Sequence, residues 1–189
     1  METIRSFIAI ELDETVQETI ATIEEELKKT GADVKWVKPR HIHLTLKFLG
    51  SIPFDQAESI LAVIQTVAQS HSSFSFQLTR LGAFPKMENP RVIWLGIEEG
   101  KEQIRKIVLS LEEKLEKVGF KKEEREFDPH VTIGRVRSPL NRFALSKAMK
   151  EIRIAPAISQ AVTQITLFKS ALTPQGPLYE ALKRISLKT

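Results

Sequence analysis

The stretch His41-Ile42-His43-Leu44-Thr45-Leu46-Lys47-Phe48 alternates polar and apolar side chains at every step. Successive side chains of a strand point to opposite faces, so the run predicts a β-strand with His41, His43, Thr45 and Lys47 on one face and Ile42, Leu44, Leu46 and Phe48 on the other. The apolar face belongs to the core, and the polar face is open to chemistry or solvent. Working outward, Thr3 to Leu12 is a β-like apolar run. Asp13 then opens a helix with Val16, Ile20, Ile23 and Leu27 at helical spacing, stopped by Gly31. Val34 to Val37 is a short extended segment before Pro39. Downstream, Pro53 lies near the start of a helix carrying Ile60, Leu61, Ile64 and Val67. Phe74 to Leu81 reads as a strand, and the breaker-rich stretch Gly82 to Pro90 reads as a closing loop.

The same order then recurs. Arg91 to Ile97 is a strand, Ile104, Ile107, Val108, Leu111, Leu115 and Val118 form a helical stripe ended by Gly119, and Phe127-Asp128-Pro129 leads into His130-Val131-Thr132-Ile133. His130 lies 87 positions after His43 (130 − 43), and at that offset Phe7, Ile8 and Ile10 fall on Trp94, Leu95 and Ile97. A short helix around Leu140 to Met149 and a strand around Ala161 to Phe168 complete the second copy. Both copies finish near a proline, Pro85 and Pro174. The period marks an internal duplication of a small α/β lobe, with repeats at approximately 1–88 and 89–189 of one bilobal domain. Two such lobes about a pseudo-twofold axis would set the equivalent strands side by side, with the two histidines facing across a cleft.

Composition narrows the chemistry. With 189 residues, 42% hydrophobic and 28% charged, the chain is an ordinary globular protein. The absence of cysteine excludes disulfides, thiolate zinc, iron–sulfur clusters and a cysteine nucleophile. No GxGxxG or GxxxxGK pattern supports ATP-dependent chemistry. The net charge of +4 suits an anionic partner. No apolar run approaches the ~18 residues of a bilayer span, and the first residues lack a basic n-region and a cleavage site, so a cytoplasmic protein with no membrane contact is expected.

The remaining chemistry sits in four histidines, two of which open the pattern His-x-Thr-hydrophobic: His43-Leu44-Thr45-Leu46 and His130-Val131-Thr132-Ile133. Residues i and i+2 of a strand share a face, so each copy offers an imidazole with a hydroxyl beside it. In facing lobes this is a kit for in-line displacement at a phosphodiester. One imidazole takes a proton from water while the other gives one to the leaving alkoxide, and a pKa of ~6.5 lets both forms coexist near neutral pH. The threonine hydroxyls would hold the non-bridging oxygens. Lys47 shares the face of Thr45 and is a candidate phosphate-side cation. Its counterpart is Gly134, and the cation there is Arg135, which strict alternation puts on the opposite face unless a bulge at Gly134, strand twist or its reach brings it round. His41-x-His43 would be half of a metal site, but nothing in the sequence completes it, so neither metal nor cofactor is expected.

Together with Arg5-Ser6-Phe7-Ile8-Ala9-Ile10, His43 to Gly50, Arg91-Val92-Ile93-Trp94, Pro129 to Arg135 and Leu172 to Glu180, the paired motifs resemble the 2H phosphoesterase superfamily. Within it they are most similar to the RNA 2′,3′-cyclic phosphodiesterase family, also called the 2′-5′ RNA ligase family. The resemblance implies an α+β fold of duplicated β-α-β-α-β units, whose antiparallel sheets form a barrel-like central cleft. It implies metal-independent hydrolysis of a terminal 2′,3′-cyclic phosphate on RNA, tRNA halves included, to a 2′-phosphate. His43 would be the proton donor to the 3′-oxygen, His130 the proton acceptor from water, and Thr45 and Thr132 the phosphate ligands. ATP-independent 2′-5′ joining of RNA halves is a further implied activity. A monomer is expected, since two internal copies already supply a two-sided cleft. Two other readings stand beside it: a non-catalytic RNA-binding module, and a 2H phosphoesterase acting on small cyclic nucleotides. Against the first, most Phe residues fall at apolar strand or helix positions rather than on display for base stacking.

Overall fold

A computed structural model describes residues 3–173 and 176–189. In chain order they form β1 (Thr3–Glu11), α1 (Glu14–Lys28), β2 (Val34–Trp36), β3 (His43–Pro53), α2 (Ala57–Ser70), β4 (Phe74–Lys86), β5 (Asn89–Ile97), α3 (Lys101–Glu116), β6 (His130–Val136), α4 (Arg142–Glu151), β7 (Ile158–Val162), β8 (Gln164–Thr173) and β9 (Gly176–Ser186). The fold is α+β. One antiparallel sheet has the order β3-β1-β8-β9 and the other β2-β6-β5-β4-β7. Helices α2 and α3 pack on the first sheet, and α1 and α4 on the second. The helix-covered faces hold the core, including Ile8, Ile10, Leu44, Ile93, Leu95, Val131 and Ile133. Apolar residues at strand spacing meet apolar stripes at helical spacing there, and that burial drives the assembly.

The repeat is present, but a sheet is not one copy of it. β4, from the first half, hydrogen-bonds to β5 of the second, while β8, from the second half, hydrogen-bonds to β1 of the first. Similar halves present similar strand edges, so each can accept the other's strand, as protomers do in a domain swap. The sequence reading differs from the structure at three related places. Gly82 to Pro90 is no loop: β4 and β5 run through it as a hairpin, with only Met87 and Glu88 between the strands. Gly82 is needed there because the Trp94 indole lies on its backbone, with ring carbons 2.1–2.4 Å from where a Cβ would sit. The segment Ala161 to Phe168 is two strands, because β7 ends on the second sheet and β8 starts on the first, either side of Thr163. The helix placed around Leu140 to Met149 begins at Arg142, and Pro174 lies outside the described residues.

Both histidine strands carry a bulge at the same repeat position. In β3, Ala9 pairs with Thr45 but Ile8 with Lys47, leaving Leu46 extra; in β6, Trp94 pairs with Thr132 but Ile93 with Gly134, leaving Ile133 extra. A bulge inserts one residue and reverses the faces beyond it. Lys47 is therefore buried on the helix side and Phe48, expected in the core, is 65% exposed on the other face. The same inversion brings Arg135 to the face of His130 and Thr132, and it is exposed there. Gly134 replaces a lysine because β2 lies against β6: a Cβ would meet Val34 at 2.8 Å and Trp36 at 3.0 Å.

Candidate active site

β3 and β6 lie next to each other where the two sheets meet, so the two His-x-Thr motifs are neighbours. His43 and Thr45 share the face of β3 turned away from the helices, and His130 and Thr132 share that of β6. All four are half-buried. The strand begins two residues later than expected, at His43: His41 ends a 3-10 turn, Pro39–His41, and is not in the strand. Pro39 starts that turn because its fixed φ suits a first helical position.

That turn sets the chemistry of His43. The His43 Nδ1 lies 2.7 Å from the His41 carbonyl oxygen, and the His130 Nδ1 lies 2.7 Å from the Asp128 carbonyl oxygen. A carbonyl only accepts, so in each ring Nδ1 carries the proton and donates it. Nε2 is left as the reactive nitrogen, a base when the ring is neutral and an acid when it is charged. The two imidazoles are thus held in the same tautomer by the carbonyl two residues upstream. Asp128 is itself fixed, because Lys101 Nζ stands 2.7 Å from its carboxylate and holds that carboxyl below the usual range.

Aromatic rings enclose the pair. Phe7 stacks on His43 with centroids 4.8 Å apart, and Tyr179 meets it edge-on at 5.3 Å. Phe7, Ala9 and Phe168 form a small apolar cluster on this face, separate from the main core. His130 is met edge-on by Phe84 at 5.1 Å and flanked by Trp94 at 6.0 Å, with the Arg80 guanidinium 5.0 Å above the Trp94 ring. Burial pushes the His43 imidazole below its ordinary pKa, opposed by its bond to the His41 carbonyl and reinforced by the charge of His41. In the sequence Phe7 and Trp94 stand out only as matching repeat positions. That they flank the two histidines follows from their register opposite β3 and β6.

Lys47 is not a phosphate-side cation. It is 3% exposed and pairs with Glu112 of α3 at 2.8 Å, donating also to the Lys121 carbonyl at 2.8 Å. Glu112 in turn accepts the Glu123 amide at 3.2 Å, and the Glu123 carboxylate is 3.8 Å from Lys47. The bulge at Leu46 turned Lys47 inward, and a buried ammonium requires a carboxylate. Among the described residues no three His, Cys, Asp or Glu side chains gather as a metal-ligand group, and His41-x-His43 is not continued by further ligands. No helix among them is long and apolar enough to cross a membrane.

Comparison with known proteins adds a family to this geometry. The LigT like Phosphoesterase family matches twice, over residues 10–94 and 95–179. A Methanothermobacter thermautotrophicus protein named RNA 2′,3′-cyclic phosphodiesterase is 35% identical over 176 residues, covering 93% of this chain and 95% of its own. A Thermotoga maritima protein of the same name is 36% identical over 178 residues, covering 94% and 92%. Among solved structures, a Thermus thermophilus protein superposes with a TM-score of 0.81 at 26% identity, over 97% of each chain. E. coli LigT complexed with 3′-AMP superposes at 0.80 and 24% identity over the full length of both, a likeness of fold. With the doubled family match, near-complete relatives and the doubled His-x-Thr strands in hand, the chain belongs to the LigT-like 2H phosphoesterase family.

Proposed function

We propose that the protein hydrolyses the terminal 2′,3′-cyclic phosphate of RNA to a 2′-phosphate by two-histidine acid–base catalysis. The observation that carries this is the matched pair of imidazoles, each with Nδ1 tied to a carbonyl and Nε2 left free, on neighbouring strands. His130 Nε2 takes a proton from water, the water oxygen bonds to phosphorus, the P–O3′ bond breaks, and His43 Nε2–H gives its proton to the departing 3′-oxygen. Thr45 and Thr132 donate to the non-bridging oxygens, and Arg135 adds charge on the same face. With an RNA 5′-hydroxyl in place of water, the same steps yield a 2′-5′ bond and a free 3′-hydroxyl, without ATP. The protein works as a monomer without metal or cofactor, and tRNA halves ending in a cyclic phosphate are one substrate it suits. Support comes from the relatives named RNA 2′,3′-cyclic phosphodiesterase.

The test is conversion of an oligoribonucleotide ending in a 2′,3′-cyclic phosphate in the presence of EDTA. The expected product is the 2′-phosphate at an unreduced rate. Loss of activity with chelator overturns the two-histidine scheme, and a 3′-phosphate product would show that the 2′-oxygen leaves.

The role given to His43 has a consequence in pH. Burial favours its neutral ring, whereas the acid must be charged. The bound phosphodiester's negative charge supplies what burial removes, so His43 titrates below ~6.5 in the free protein and higher with inorganic phosphate bound. The linkage sign follows. Because the folded-state value is depressed, the unfolded chain takes the proton first as pH falls, and stability declines from ~6.5 down through the folded value. An NMR titration of the His43 ring, with and without phosphate, checks both; an unmoved value on adding phosphate contradicts the assignment.

A further inference from the structure

Glu11 is the last residue of β1, and in the β1–β3 ladder it stands directly opposite His43. Phe7, Ala9 and Glu11 alternate onto the face of β1 turned away from the helices, so the carboxylate and the imidazole project to the same side. Directly opposite Cβ atoms are about 4.5–5.5 Å apart, and a glutamate there is long enough to take the Nε2 proton of His43. Its carboxylate is instead turned toward the far strands of the sheet. Arg184 of β9 donates to both oxygens, at 2.7 and 2.9 Å, and the buried Thr166 hydroxyl of β8 donates to one of them at 2.8 Å. The Arg184 guanidinium holds the Glu11 carboxyl below the usual carboxylate range, so the group is charged and its charge is already matched.

The groups that face His43 are Glu11 from β1, Tyr179 from β9, His130 from the neighbouring β6 and His41 from its own segment, with the Arg40 Nε 3.3 Å from the His41 ring. Glu11 is the one carboxylate of these four, and a charged imidazole bonds to a carboxylate in preference to the others. A freed Glu11 would leave the ring engaged at both nitrogens, Nδ1 by the His41 carbonyl and Nε2 by the carboxylate, with neither available to a departing oxygen. The second repeat carries a counterpart. Glu98 lies 87 positions after Glu11 (98 − 11), and Arg80 of β4 holds it at 3.0 Å. The ladder there is offset by two residues, so Gly96 rather than Glu98 stands opposite His130. In each sheet an arginine from further across thus occupies the glutamate that ends the strand beside the histidine.

We propose that Arg184 is a positioning residue for His43: it holds Glu11 toward β8 and β9 and so keeps the Nε2 of His43 free for the departing 3′-oxygen. The proposal rests on the reading of His43 as the proton donor.

The experiment follows the His43 ring by NMR titration in the wild type, Arg184→Gln, Arg184→Lys, Glu11→Gln and the double variant Arg184→Gln with Glu11→Gln, and measures kcat and KM of each on 2′,3′-cyclic CMP. Arg184→Gln should move the His43 midpoint up by about one pH unit, the lower end of what a close opposite charge does. It should lower kcat about tenfold, part of the ~10²–10⁴ that a positioned acid contributes, with KM little changed. Arg184→Lys keeps a cation on Glu11 and should stay near the wild-type midpoint. Removing the carboxylate as well, in the double variant, should return midpoint and kcat toward wild type; a tie that only stabilised the sheet would not be restored by losing its second half. Glu11→Gln alone should leave the midpoint nearly where it is, because the charge it removes is already matched. Absence of turnover in every protein, the wild type included, would defeat the proton-donor reading, while the titration still tests the hold on Glu11. An unmoved midpoint in Arg184→Gln, no recovery in the double variant, or a large fall of the midpoint in Glu11→Gln overturns the proposal.

Discussion

Alanine in place of His130 is expected to lower single-turnover cleavage of a cyclic-phosphate RNA by about 10²- to 10⁴-fold, the range for removing a positioned general acid or base. His43→Ala should fall in the same range, because the proposed scheme gives each ring one of two proton transfers in a single displacement. Groups that act as a unit are not additive, so the double variant should be scarcely slower than either single one. Circular dichroism should show both singles folded, since neither imidazole belongs to the main core. A single variant retaining more than a tenth of the wild-type rate would remove that residue from the chemistry. His130→Asn separates orientation from proton transfer: an amide can still reach the Asp128 carbonyl but does not titrate, so it should be as inactive as alanine.

The second large effect is on stability. Lys47→Ala should cost about 3–5 kcal/mol, because it strands Glu112 as an unpaired buried carboxylate. For a chain of this size that corresponds to a melting temperature lower by roughly 6–20 °C. The double variant Lys47→Met with Glu112→Leu should recover most of the loss, because replacing both partners by apolar groups of similar shape leaves no stranded charge. Urea unfolding of the three proteins measures it. A Lys47→Ala protein within about 1 kcal/mol of wild type would mean that the site is open to water. Because Lys47 also holds the Lys121 carbonyl and faces Glu123, its loss frees the segment leading toward Asp128 and His130, and some activity should go with the stability.

Much of this was legible in the residues. The alternation from His43 to Leu46, the helical stripes of α1 and α3, and the offset relating the two His-x-Thr motifs placed the two histidine strands and predicted that they form a pair. What alternation cannot show is a bulge, because an extra residue leaves no mark on the pattern before it and inverts every face after it. That one irregularity misassigned Lys47 and Phe48 together. For Arg135 the sequence allows a bulge at Gly134, and it sits one residue earlier, at Ile133. Glycine and proline misled at Gly82 to Pro90 for another reason: they signal turns on their own, but here a tryptophan from the neighbouring strand needs the space a side chain would take. The pairing of β4 with β5 and of β8 with β1 lay beyond reach, since two similar repeats offer each strand two similar edges.

That crossed pairing decides how the cleft can move. The chain passes between the two sheets four times: from β1 to β2, from β2 to β3, from β3 to β4, and from β7 to β8. A two-lobed protein joined by one linker opens like a book on its spine, with a few residues absorbing the rotation. This one is laced, and prying its walls apart would bend every lace at once. The relative placing of the two histidine strands is accordingly preset by the scaffold, so the phosphate of the proposed reaction would spend little binding energy on gathering them.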